Sequence, residues 1–298
     1  MMKHRWILTA TCAALFATLS AVSPAAAPAE SEDEAAELEK QRQYWLGVCE
    51  GHANDYRIFP TGEPDKVLKR AKEPIFRHTQ RDSDARVGLG QIGLVFLWTD
   101  DSGHPATVIT VIANALKDSE PPGQRRVSHV LQSLSTEPLT ALWRGGELWT
   151  PEGPGVEWKA VPNAPVPGDS PAKRLAQART IARKFRSHSI DSRDGRWELR
   201  LLSKPMYDYE QQPAESGLGG ALLAFCEGTD PEVLLALETR PTQEGPRWHF
   251  AFAAFSNYEL HGSHAGQEVW SVPPRGTPPK TSPRWAVRGI EIVAGPGS

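Results

Sequence analysis

The chain has 298 residues, with 33 basic and 36 acidic side chains and a formal net charge of −3. That balance excludes bulk electrostatic attraction to nucleic acid, and ten tryptophans, five tyrosines and nine phenylalanines exclude a chain disordered throughout. The length can bury a real core, in one large domain or two small ones.

Residues 1–29 read as a secretory signal. Met1 to Arg5 is a short basic head, Trp6 to Val22 is uncharged and rich in Ala, Leu and Thr, and Ser23 to Ala29 is built of small residues and proline. Basic head, apolar middle and small-residue exit mark a cleaved export signal. The run is too short and Ala-rich for a membrane span of about 20 strongly apolar residues. Cleavage after Ala25, Ala27 or Ala29, with Pro28 disfavouring Ala27, leaves about 270 residues carrying 31 basic and 36 acidic side chains, net −5. No later segment is apolar enough to cross a bilayer, so the expected location is the periplasm or the exterior. Only Cys49 and Cys226 remain after cleavage. Export permits a disulfide between them, and two buried free thiols are the other option.

The acidic, Ala-rich stretch 30–39 leads into a first helix, with Leu38, Tyr44, Trp45 and Val48 as its apolar residues. Residues 92–99 and 106–112 flank Asp100 to Gly103 as a hairpin. Residues 139–143 and 147–149 flank Arg144-Gly145-Gly146, where the glycine pair supplies positive φ. Residues 152–170 form a Pro-rich linker. A second helix follows over 171–186, with Ser170 as N-cap, Pro171 at the first position, and Leu175, Ala178, Ala182 and Phe185 along one stripe. Further strands fall at 196–202, 221–226, 233–238 and 247–255, and a Pro-rich tail, 274–298, carries one short strand at 285–293.

Arg126, Ser135, Leu139, Gly145, Glu147 and Trp149 match Arg247, Ser256, Leu260, Gly266, Glu268 and Trp270 at a constant offset. The expected fold is therefore α+β with two similar halves, 30–151 and 171–273, each one helix packed on an antiparallel sheet of about five strands.

Four stretches resemble a family of uncharacterised predicted exported proteins frequent in planctomycete bacteria. They are Gly93 to Thr99 (GLVFLWT), His129 to Ser135 (HVLQSLS), Leu148 to Trp158 (LWTPEGPGVEW) and Gly228 to Leu235 (GTDPEVLL). The resemblance spans roughly residues 60–273. It implies export and no particular chemistry. Many members carry an acidic-aromatic pair where this chain has Val130-Leu131.

No catalytic signature passes inspection. Gly88 to Gly93 spells G-x-G-x-x-G, but a polar segment precedes it and a strand follows, which removes the helix N-terminus that phosphate binding requires. His249, His261 and His264 are the candidate metal ligands, although no H-E-x-x-H is present and the glycines around them point to a turn. His129 and Ser133 share one strand face, a candidate polar site whose members lie too far apart along the strand for a direct nucleophile pair. The second helix carries Lys173, Arg174, Arg179, Arg183, Lys184 and Arg186 and no acid, which suits an anionic polysaccharide or an acidic envelope protein. Trp149 and Trp270, at matching positions, read as core. These features favour a non-enzymatic binding protein without a cofactor. A hydrolase near His129 or near the three histidines is the alternative, and a structural envelope component a third.

Overall fold

Residues 92–98 and 221–226 are apolar at nearly every position. Side chains alternate between the two faces of a sheet, so strands of this kind must be covered on both sides. The computed structural model describes residues 32–80, 90–116, 123–191, 195–209, 219–276 and 278–296. Residues 1–29, read from the sequence as an export signal, and Gly88 and Leu89 of the glycine-rich match lie outside the described residues.

Helix α1 (Glu32–Asn54) precedes β1 (Tyr56–Pro60), β2 (Lys69–Arg70), β3 (Phe76–Gln80), β4 (Gln91–Thr99), β5 (Pro105–Ala115), β6 (Arg125–Ser133), β7 (Leu139–Trp143) and β8 (Gly146–Trp149). Then come β9 (Lys159–Ala160), α2 (Pro171–Ala182), β10 (Phe185–Asp191), β11 (Gly195–Leu201), β12 (Tyr207–Asp208) and β13 (Gly220–Glu227). The chain continues through β14 (Asp230–Arg240), β15 (Arg247–Ala254), β16 (Glu259–His264), β17 (Gln267–Val272) and β18 (Arg284–Val293).

Three antiparallel sheets result. A small one has the order β1-β7-β8. A six-stranded one runs β18-β6-β5-β4-β2, with β3 also on β4. A nine-stranded one runs β17-β16-β10-β11-β13-β14-β15-β9, with β12 on β13, and curls into a half-barrel. The two larger sheets share a middle core of Val95, Leu97 and Val108 against Leu222, Ala224, Leu234, Ala236, Ala251 and Ala253. The far face of the six-stranded sheet is covered by α1 and the small sheet, around Trp45, Cys49, Phe96, Trp98 and Trp149. The hollow of the half-barrel holds Ile181 and Ala182 of α2 with Phe185, Trp248, Phe250 and Phe252.

The expected pair of helix-on-sheet halves is therefore overturned. The molecule is mostly β, with two helices among the described residues. Sheet packs on sheet, and each helix covers only part of one outer face. Segments expected to be separators cross over: β9, from the Pro-rich stretch 152–170, pairs with β15, and β18, from the tail, pairs with β6 through most of its length.

Local expectations fare unevenly. Ser170 caps α2 as read, accepting from the Lys173 amide, and Pro171 opens the helix. The helix stops at Ala182, and Phe185 starts β10. Its buried stripe is Ala178, Ile181 and Ala182. In α1, Leu38 and Tyr44 are exposed, and the buried side is Trp45, Cys49, His52 and Ala53, one face at helical spacing. In the β7–β8 turn the left-handed residues are Arg144 (φ 48°) and Gly145 (φ 79°), not the glycine pair. Cys49 and Cys226 are free, because one is buried in the α1 core and the other between the two large sheets. Burial pushes both thiols up to about 12.

Gly262 of β16 faces the ring of Phe252, and a methyl group there would come within 2.7 Å of it. The ring cannot yield freely, since Trp270 stacks on it at 5.2 Å. Gly262→Ala is expected to cost about 1–3 kcal/mol by overpacking. Thermal unfolding should show a midpoint several degrees lower, and an unchanged midpoint would refute this packing.

Candidate functional site

Strand β11 changes partner along its length. Five of its residues pair with β10 and its last two, Arg200 and Leu201, pair with β13. A groove of about 570 Å³ lies where that switch occurs, beside the C-terminal end of α2. Its floor is Phe185, Leu199, Leu201, Leu223 and Phe225. Its rim carries four arginines, Arg179, Arg183, Arg186 and Arg200, and no acidic side chain lines it. Arg179 also lies in the last helical turn, where a cation is favoured by the helix dipole. Arg186 reaches back to the main-chain oxygens of Arg183 and Phe185 at 2.7 and 2.8 Å, and Arg200 donates to Gly228 at 3.1 Å. Arg186 and Arg200 are thus braced by neutral main-chain acceptors.

The rest of the predicted basic face points elsewhere. Lys173 pairs with Asp169 at 2.9 Å, Arg174 is half-buried and donates to Gly168, and Lys184 is exposed beyond the helix end.

His129 and Ser133, the candidate polar face of β6, lie inside the protein. Both are wholly buried. The Ser133 hydroxyl accepts from the Ser135 amide at 3.2 Å. His129 belongs to a chain of hydrogen bonds whose other members the sequence reading passed over. Tyr56 Oη lies 2.7 Å from His129 Nδ1, His129 Nε2 lies 3.0 Å from His52 Nδ1, and His52 Nε2 lies 3.4 Å from Glu291 Oε2. The two hydrogen bonds of His129 can run in either direction, since a neutral imidazole donates through one ring nitrogen and accepts through the other, and Glu291 stands at ion-pair distance beyond His52. Trp143 stacks on His52 and donates to its main-chain oxygen at 3.1 Å. Arg144 lies over Trp143 and pairs with Asp55 at 2.9 Å and Glu291 at 3.0 Å. Burial lowers His129 to about 3 and also lowers His52, so both rings are neutral at pH 7.

The three candidate metal ligands are not brought together. Residues three apart on a strand face opposite sides, so His261 looks outward and His264 inward against Phe185. His249 is on β15, which does not pair with β16. His261 is held between Glu259 at 2.9 Å and Glu268 at 2.8 Å and stacks on His188. Among the described residues no group of three or more His, Cys, Asp or Glu could hold a metal. Trp149 is fully buried, while Trp270 is half-buried on Phe252. His52 was findable, since it lies seven residues after Trp45 on the buried stripe of α1. Arg200 was not, because only the strand pairing brings it beside α2.

The neutral histidines link stability to pH. His129 has its ordinary value of 6.5 when unfolded and about 3 when folded. Its contribution is whole above pH 6.5 and is lost as pH falls from there toward 3, at about 1.4 kcal/mol per unit. Denaturant titrations at several pH values should show that fall. In His129→Phe the fall should be shallower, and stability at pH 7 should drop by about 1–3 kcal/mol for each partner left unpaired. An acid slope identical in the variant would sink this assignment.

No family model matches the chain, and neither a curated protein nor a solved structure matches it.

Proposed function

We propose that the chain is an exported, non-enzymatic binding protein of the cell envelope, and that the groove between α2 and β11 holds an anion bearing an apolar chain. The observation that carries the reading is one guanidinium-rimmed groove with an apolar floor and no acid. An acyl chain on Phe185, Leu199 and Leu223 gains about 25 cal/mol per Å² removed from water, and the rim supplies charge-assisted hydrogen bonds to its head. An anionic polysaccharide, hydroxylated along its length, would leave that floor unmatched. Among the described residues no helix is long and apolar enough to cross a membrane.

The resemblance to exported planctomycete proteins supports the address. An internal duplication belongs to the same reading. It is supported by corresponding strand orders, β1-β7-β8 with β10-β16-β17 and β4-β5-β6 with β13-β14-β15.

Two measurements test the proposal. Dodecanoate and dodecyl phosphate should raise the unfolding temperature, by the equivalent of about 2.7 kcal/mol at 100 times the dissociation constant. Dodecanol should do so far less, and Arg179→Ala with Arg183→Ala should abolish the response while leaving the fold intact. Equal responses to the alcohol and the acid would refute the rim's role, and no response would refute the groove. For export, intact-mass analysis of protein from the producing cell should find an N-terminus after Ala25, Ala27 or Ala29. A chain retaining residues 1–29 in the cytoplasm would overturn it.

A further inference from the structure

A second, larger cleft, of about 680 Å³, lies on the other side of the half-barrel. It falls within the range of small-molecule pockets. Both large sheets build it. Thr110 and Ile112 of β5 and Val130 of β6 form one wall, and the turn Ser256–Tyr258 with the end of β10 and the start of β14 forms the other.

Two polar groups in it have no partner among the described residues. Thr110 is 4% exposed, and its hydroxyl is buried without a hydrogen bond. Buried hydroxyls are ordinarily satisfied, so an unpaired one in the lining of a cleft marks a place for a ligand atom. Arg275 is half-buried. Its main-chain N–H donates to Asn257, but its guanidinium makes no hydrogen bond or ion pair with any described residue. Burial acts on it uncompensated and lowers its pKa. Arg284, 2% exposed, differs in being held, by the Asn257 amide oxygen and the Phe255 carbonyl. Asn257 is thereby tied to both arginines, which fixes the turn bearing the cleft wall.

The remaining lining narrows the ligand. Asp191, Asp230 and Glu259 also face the cleft. Their negative charge would repel a phosphate or any ligand that is anionic all over. A neutral sugar would leave Arg275 without a counter-charge. Ile112 and Val130 offer an apolar patch suited to the C–H face of a ring. We propose that this cleft binds one hydroxylated ring carboxylic acid, a uronic-acid-type sugar, with its carboxylate on Arg275 and a hydroxyl on Thr110. The site is separate from the groove at α2 and does not rest on it.

The test uses the full-length mature protein titrated with glucuronate, glucose and cyclohexanecarboxylate, followed by calorimetry or ligand-observed NMR. Glucuronate should bind about tenfold or more tightly than either analogue, each of which lacks one half of the recognition. Arg275→Gln should weaken glucuronate about tenfold or more. Thr110→Val removes an unpaired hydroxyl, so it should leave the unfolding temperature unchanged or raised while weakening glucuronate several-fold. That variant keeps the test open should Arg275→Gln fold poorly. The Arg179→Ala, Arg183→Ala variant should bind glucuronate as the parent does, which separates this site from the groove. Absence of glucuronate binding, equal binding of cyclohexanecarboxylate, or indifference to both cleft substitutions would overturn the proposal.

Discussion

Strands β4, β5, β13 and β14 are apolar on both faces, and everything else in the architecture answers that constraint. A half-buried sheet needs one cover, whereas these need two. The six- and nine-stranded sheets cover one another through the middle core, and α1, the small sheet and α2 cover what remains. β15 shows how side-chain size follows. Ala251 and Ala253 face the partner sheet, while Trp248, Phe250 and Phe252 fill the hollow of the half-barrel. Small residues let the sheets approach closely, and large ones fill the wider space under the curl.

Against that apolar stack, the Tyr56–His129–His52–Glu291 chain is the main polar intrusion into the first core. Burying two imidazoles and a phenol is unfavourable unless each hydrogen bond is made. Here Tyr56, His129 and His52 are hydrogen-bonded in series, and the Glu291 carboxylate stands at ion-pair distance from His52. The network joins α1, β1, β6 and β18, and Trp143 and Arg144 bring in β7. Arg144 holds a left-handed backbone conformation that few side chains adopt, with Asp55 and Glu291 gripping its guanidinium. The same residue closes a turn and seals the chain of histidines.

The hairpins were legible because their chemistry is local. Gly145 and Gly228 mark turns, and continuous apolar runs mark β4, β13 and β14. The layer order was not legible. An apolar run reports that both faces are covered but not by what, and helices were assumed where a second sheet stands. Phe185 was read as the end of a helical stripe because Ala182 and Phe185 fit helical spacing, yet the segment after it, Arg186 to Asp191, alternates as a strand. Of the basic groove, Arg179 and Arg183 could be read from charge, while Arg200 and the apolar floor come from distant strands. Thr110 and Arg275 gave no signal, since a lone polar residue in a strand or a Pro-rich stretch looks the same whether or not it has a partner.

Strand β6 pairs on one side with β5, its neighbour in the chain, and on the other with β18, more than a hundred residues later. Closing so long a loop is slow relative to forming the local hairpins. Until residues 284–293 arrive, β6 has a bare edge open to mispairing, and His52 and Arg144 lack the Glu291 carboxylate beside them. The first core is thus the first to be synthesised and the last to be sealed, which makes the time between those two events, rather than final stability, the period in which this chain most needs protection from aggregation.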